Sequence, residues 1–452
     1  MPCTYKLIPI HTIRIVGDSH RSYYRPRRLF LSPKSCSRMS WKSGPHACDG
    51  PWAKYWYHDV HQTTGWIIKT NKNDTIMNDA KDSPDNNSRV AVTKQKKYRT
   101  FNPTYTTALR ASYPAYTFLY HLTERYQQRT SKSKEQLYPD DSRNEQVFVY
   151  IGNSPGYGQC VPRDMAGVSP FDSVVQGGDA TWEGIRVYRG KILCLEKHLN
   201  RLMKSSKALG FNMQYIHTKE QITDAIFQVL AVNNMRDGAH MRLTLTRGEK
   251  CTSSMNPNFN VYGTTLIILP EWKPVHGATT YDNTRGISLI TASQRRNPPS
   301  CVDSKIHHNN LINNILPKIQ ANLAGVADAI MLDIDGYVSE TNATNIFMVD
   351  EDGTLLTPHA DHCLPGITRS AVLELAQELC IRTEVRRISL AEFHSAQEVF
   401  TTGTMGELTP VVNIDGRIIG DGVCGPVTQQ LQEIYQTLPD RDGWSTPIPP
   451  FE

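Results

Sequence analysis

From about residue 146 onward, apolar and polar positions fall into short alternating runs separated by amphipathic stretches and turn signals. In 240–248, Met241, Leu243 and Leu245 alternate with Arg242, Thr244 and Thr246, the pattern of a half-buried strand with Arg242 on its polar face. His198 through Leu209 has helical spacing, and Lys219–Val232 places Ile222, Ala225, Ile226 and Leu230 along one helical face. Strands are expected at 264–269 and 287–291, and helices at about 309–324, 366–381 and 425–438. Pro317 falls inside the first of these helices, where it predicts a kink or a late start. Asp335-Gly336, Asp352-Gly353 and Asp415-Gly416 each separate short apolar runs and predict three β-hairpins. The polar, Pro- and Gly-bearing stretch before Ile287 predicts a connection between domains. These elements give an α/β (α+β) body: a smaller domain at 146–270, a linker at 271–285, a larger domain at 286–440 and a C-terminal tail at 441–452.

Residues 1–145 lack this order, reading as a basic, polar extension with little predicted structure. Residues 1–48 carry many basic residues and serines against one acid, Asp18, the composition of a mitochondrial or plastid transit peptide. A disordered extension, or a first residue at Met39 or Met77, explains the same composition, so the expected compartment is cytoplasmic or organellar. Over the whole chain the net charge is only +5, and the basic excess gathers at the N-terminus, which gives no support to nucleic acid binding. No apolar run approaches the ~18 residues of a membrane span. The ten cysteines form no C-x-x-C pair, which argues against a zinc ribbon and a dense disulfide scaffold; no metal site is expected.

The chemistry gathers in six blocks. They are GGDATWEGIRVYRGKI (177–192), LEKHLNRLMKSSKALGF (195–211), SKIHHNNLINNIL around Lys305, YVSETNATNIF (337–347), LPGITR (364–369) and GTMGELTPV (403–411). In this order and spacing they resemble the fold-type IV family of pyridoxal-phosphate enzymes, which holds branched-chain and D-amino-acid aminotransferases and aminodeoxychorismate lyase. The resemblance implies a two-domain fold with a barrel-like larger domain, pyridoxal 5′-phosphate in the cleft, and a homodimer. It implies Lys305 as the Schiff-base lysine and proton shuttle, because such a cofactor needs an amine to hold it and to move a proton. Glu340 matches the carboxylate against the ring nitrogen. Gly366, Ile367 and Thr368 match the phosphate donors at a helix N-terminus. Arg201 and Thr404 match further phosphate ligands, and Leu364 the apolar residue on the ring face. Arg242, with Met405 and Gly406 of the Gly/Thr loop, matches the substrate side, where branched-chain enzymes set an arginine toward glutamate's side-chain carboxylate.

Three departures stand out. Asn310 lies five residues after Lys305, where branched-chain enzymes have a tyrosine on the cofactor's phenolic oxygen. His307 and His308 replace a glycine-rich stretch, either as satisfied structural histidines or turned toward cofactor or substrate. Gly177 stands where an aromatic residue is expected. Residues 248–262 hold neither Arg nor His, which disfavours a D-specific enzyme carrying an Arg-x-His pair. The expected activity is amino transfer from a branched-chain or other apolar amino acid to 2-oxoglutarate. A D-amino-acid or amine transaminase, an aminodeoxychorismate lyase-like enzyme and a non-catalytic scaffold are the alternatives.

Overall fold

A computed structural model of the chain describes residues 14–15, 66–68, 141–273 and 281–451. The expectations for the remaining residues of 1–140, and for 274–280 of the linker, lie outside the described residues. Contacts divide the chain into two units, Met1–Thr100 and Phe101–Glu452. The first contributes one short antiparallel pair, Arg14–Ile15 with Trp66–Ile68. Everything below belongs to the second.

In chain order, the unit begins with β1 (Phe148–Ser154), β2 (Tyr157–Pro162), α1 (Ser173–Gly177), β3 (Ala180–Tyr188) and β4 (Lys191–Leu193). Next come α2 (Leu195–Ala208), α3 (Lys219–Val232), β5 (Ala239–Thr246) and β6 (Thr265–Trp272). After the linker follow β7 (Ile287–Arg295), α4 (Ile312–Leu323), β8 (Asp328–Leu332), β9 (Val338–Thr341), β10 (Asn345–Val349) and β11 (Leu355–Thr357). The last elements are α5 (Ile367–Glu378), β12 (Thr383–Val385), α6 (Leu390–His394), β13 (Glu398–Gly403), β14 (Glu407–Ile414), β15 (Arg417–Ile418), α7 (Pro426–Tyr435) and β16 (Ser445–Pro447).

Seven strands form one sheet in the order β16-β4-β3-β5-β6-β1-β2. Met241, Leu243 and Leu245 of β5 are fully buried in a core shared with Leu199 and Leu202 of α2 and Ile222, Ile226 and Leu230 of α3. The alternation thus does what it predicts: one face of β5 packs on helices and the other faces the site. Helix α3 starts at Lys219 because Thr218 and Gln221 close a capping box.

The other nine strands form a sheet in the order β9-β8-β7-β14-β13-β10-β11-β12, with β15 on β14. Phe347 and Phe400 stack at its centre, ring centroids 5.1 Å apart, beneath Val372 and Leu375 of α5 and Leu431 of α7. All three Asp-Gly pairs lie in hairpin turns, joining β8–β9, β10–β11 and β14–β15. Pro317 sits buried within α4, which starts five residues before it rather than at it. Residues 445–447 pair with β4 and Ile448 enters the first core, so the C-terminal segment belongs to the first sheet. Tyr188 of β3 donates a 2.7 Å hydrogen bond to Glu407 of β14, tying the two sheets together beside a cleft.

Candidate active site

Sheet register builds the cleft. Segment 307–310 runs beside the start of β3: the Trp182 amide donates to the His307 carbonyl at 3.0 Å, and the Asn309 amide to the Ala180 carbonyl at 2.8 Å. The indole Nε1 of Trp182 fixes the same segment through the His308 carbonyl at 3.1 Å. These walls, with Arg242 of β5, Arg296, Glu340 at the end of β9, Asn342 and Leu364, enclose a cavity of about 280 Å³. Ile306, Leu311 and Ile315 make part of its lining apolar.

Glu340 is buried and accepts from Arg296 Nε at 2.6 Å, Asn345 Nδ2 at 3.2 Å and the Leu364 amide at 3.3 Å. Burial pushes its carboxyl upward, with the Arg296 guanidinium and the Leu364 amide opposing that shift in part. Arg296 is also held by Asn313 and Asn314 at the start of α4.

A second charged centre lies under the first sheet. Glu183 of β3, 0% exposed, accepts from Arg201 Nε at 2.9 Å and Nη2 at 2.7 Å. It also pairs with His198 Nδ1 at 2.8 Å and His307 Nδ1 at 3.3 Å. Burial alone would raise this carboxyl, but Arg201 and the two imidazoles hold it well below the usual range. Arg201 further donates to the Pro365 carbonyl at 3.2 Å, which sets its guanidinium beside the start of α5. There Gly366 is the N-cap and supplies no side-chain acceptor, leaving the first-turn amides of Ile367 and Thr368 uncapped. A Cβ on Gly366 would lie 2.0 Å from Asn345 Oδ1, so only glycine admits this approach.

Arg242 sits with its guanidinium carbon 3.8 Å from the Trp182 ring centre and donates to Asn309 Oδ1 at 2.9 Å. Burial lowers it to about 10, which leaves it a cation near neutral pH, and it has no carboxylate partner among the described residues.

Several expected site residues do not line this cavity: Arg201, Gly366, Ile367 and Thr368 gather just past Leu364 at the start of α5, and others lie elsewhere. Lys305, expected as its amine, is exposed and outside the lining. The reason is local: Asp303 Oδ1 accepts from the Lys305 amide at 3.0 Å and the Ile306 amide returns to the Asp303 carbonyl at 3.0 Å, a turn with Ser304 and Lys305 at its corner. His307, two residues on, lines the cavity instead. Asn310 is exposed and outside the lining as well; its neighbour Asn309 makes the bond to Arg242. Thr404, Met405 and Gly406 form the turn between β13 and β14 outside the lining, with Gly406 against the Tyr281 ring. Sequence reasoning misses Glu183, Trp182 and Arg296 as site residues. The first is legible afterwards as the one acid of the strand sequence ATWEGIRVY, and Asp303 as a turn former two residues before Lys305.

These residues fit pyridoxal phosphate at two of its polar groups. The uncapped first turn of α5 with Arg201 beside it suits a phosphate, and Glu340 under the Leu364 amide suits a pyridine nitrogen. Lys305, expected at the aldehyde, lies exposed on the turn that leads into the cavity residues Ile306 and His307.

The sequence profile of the family described as Amino-transferase class IV matches residues 180–414. Branched-chain-amino-acid aminotransferase-like protein 1 of Arabidopsis thaliana is 49% identical over 93% of this chain and 69% of its own length. A putative branched-chain-amino-acid aminotransferase of Methanocaldococcus jannaschii is 37% identical over 64% of this chain and 97% of its own. Among solved structures, the branched-chain amino acid aminotransferase of Escherichia coli superposes with a TM-score of 0.61 at 29% identity, covering 67% of this chain and all of that one. A second solved branched-chain amino acid aminotransferase, complexed with N-(5′-phosphopyridoxyl)-L-glutamate, gives 0.60 at 30% identity, covering 67% of this chain and 99% of its own.

Proposed function

The chain belongs to the class IV aminotransferases, pyridoxal-phosphate-dependent enzymes of fold type IV, and from that premise we propose that it moves an amino group from a branched-chain or other apolar amino acid to 2-oxoglutarate. The observation that carries this reading is Arg242, a buried cation on the cavity wall with no carboxylate of its own among the described residues. A guanidinium so placed recognises a substrate carboxylate, and the surrounding Ile306, Leu311, Ile315 and Leu364 favour an apolar side chain. When bound, pyridoxal phosphate supplies the electron sink for the reaction. In this chain Glu340 would hold the ring nitrogen, the start of α5 and Arg201 would hold the phosphate, and Trp182 and Leu364 would wall the cavity around it.

A homodimer is part of the same reading. Ile312, Ile315, Leu316, Ile319 and Leu323 form an exposed stripe along α4, at the helical spacing of a buried face.

Formation of glutamate from 2-oxoglutarate tests the function, with leucine, isoleucine and valine compared against aspartate and lysine. Branched-chain donors are expected to lead, and Arg242→Met to raise KM for 2-oxoglutarate about tenfold or more with a smaller change in kcat. Equal use of all donors would overturn the substrate class. A second reading, a member that binds ligand without turnover, draws on the solvent position of Lys305; cofactor binding with no conversion of any donor would establish it.

A further inference from the structure

Resting on the reading of this cavity as the pyridoxal phosphate site, we propose that the His308 imidazole is the hydrogen-bond partner of the cofactor's phenolic oxygen, a place that the sequence offers to Asn310. Around a pyridoxal ring, one path from the nitrogen leads to the phosphate arm and the other, past the methyl-bearing carbon, to the phenol. With the nitrogen at Glu340 and the phosphate at the start of α5, the phenol falls on the wall turned away from Arg201.

His308 stands on that wall. Residues 307–309 lie extended along β3: Thr181 and His308 form an antiparallel bridge, the Trp182 amide donates to the His307 carbonyl and the Asn309 amide to the Ala180 carbonyl. Successive side chains of such a segment point to opposite faces. His307 turns toward Glu183, with Arg201 beyond, so His308 turns the other way. The charge acting on its ring is that of Arg296, the cation that grips Glu340. The ring is 7% exposed, lines the cavity, and leaves its Nδ1 with no hydrogen-bond partner among the described residues. Burial, and then Arg296, disfavour its protonation against the pull of the Asn310 carbonyl. A neutral imidazole has one N–H to give and one lone pair to accept with, so it pairs with the phenol in either protonation state of that group. Asn310, two residues on, is exposed and outside the lining. A bond from His308 fixes the rotation of the cofactor ring and leaves the expected role of Lys305 at the aldehyde untouched.

Pyridoxine 5′-phosphate and its 3-deoxy analogue both lack the aldehyde, so they separate this contact from any bond to Lys305. Calorimetric titration of the full chain with each reads it. The parent is expected to bind the phenol-bearing ligand about tenfold or more tighter than the 3-deoxy analogue. His308→Phe, and His308→Leu with a smaller side chain, are expected to bring the two ligands within about twofold of each other. Their affinity for the 3-deoxy analogue is expected to stay within about threefold of the parent, and Asn310→Ala to keep the parent's preference. A preference that survives in both His308 variants, or is lost in Asn310→Ala, would overturn the proposal. Equal binding of both ligands by the parent would overturn it while leaving the cofactor reading of the cavity in place. A parent that binds neither ligand removes that reading and the proposal together.

Discussion

Glu183 shows how one side chain sets the charge of its surroundings. Fully buried, it is tolerable only because Arg201 grips it with two nitrogens and two imidazoles face it. Glu340 and Arg296 form the corresponding pair on the other sheet. Glu340→Gln keeps the shape but leaves the Arg296 cation with neutral partners, so a loss of about 1–3 kcal/mol is expected in urea unfolding, with weaker turnover. An unchanged unfolding midpoint would mean that Asn313 and Asn314 satisfy Arg296 unaided. Burial also presses His217 and His307 down to about 4 and His240 to about 3. In the unfolded chain these imidazoles titrate near ~6.5. Below that pH the unfolded state binds more protons, so stability present above about 6.5 is lost as pH falls toward 4. Melting temperature should therefore hold between pH 8 and 7 and decline steadily from pH 6.5 to 4.5; a flat profile would contradict the buried, neutral assignment.

Among the elements, the start of α5 is the most constrained. Gly366 has φ −64°, a value any residue adopts, so its requirement is space and not backbone freedom. An alanine there must displace Asn345, which bonds both the Leu364 carbonyl and Glu340. Gly366→Ala is expected to cost about 1–3 kcal/mol through this overpacking and to weaken pyridoxal phosphate binding, read by urea titration and fluorescence titration. Binding and stability equal to the parent would show that Asn345 swings aside freely. Much at this scale was legible beforehand: Lys219–Val232 and the three Asp-Gly hairpins follow from spacing and turn chemistry alone. The turn at 303–306 was not, because an Asx turn competes with neighbouring lysines only through hydrogen bonds that composition does not rank.

At the scale of the whole molecule, the apolar stripe on α4 has no partner within the described chain. It spans the wall that also contributes Ile315 and Lys318 to the cavity, so an interface there would seal the site. Ile319→Asp is expected to shift sedimentation from dimer to monomer and to lower turnover together, since one buried charge opposes association by several kcal/mol. A monomeric parent of full activity would refute the dimer. The end of the chain is equally structural, since β16 borders β4 and Ile448 lies in the first core.

The amino-acid sequence by itself determined the helices, the hairpins and the family blocks, because periodicity and turn chemistry act over a few residues. It also marked Glu340, Arg201, Arg242 and the Leu364–Thr368 loop as site residues to examine. Which side chain of 305–310 faces the cavity was decided only by tertiary structure. The backbone of 307–309 is pinned to Ala180 and Trp182, about 125 residues earlier in the chain, and along such an extended segment a shift of one or two positions exchanges solvent for interior. That pairing places His307 inside and Lys305 outside, a choice made by hydrogen bonds between distant strands.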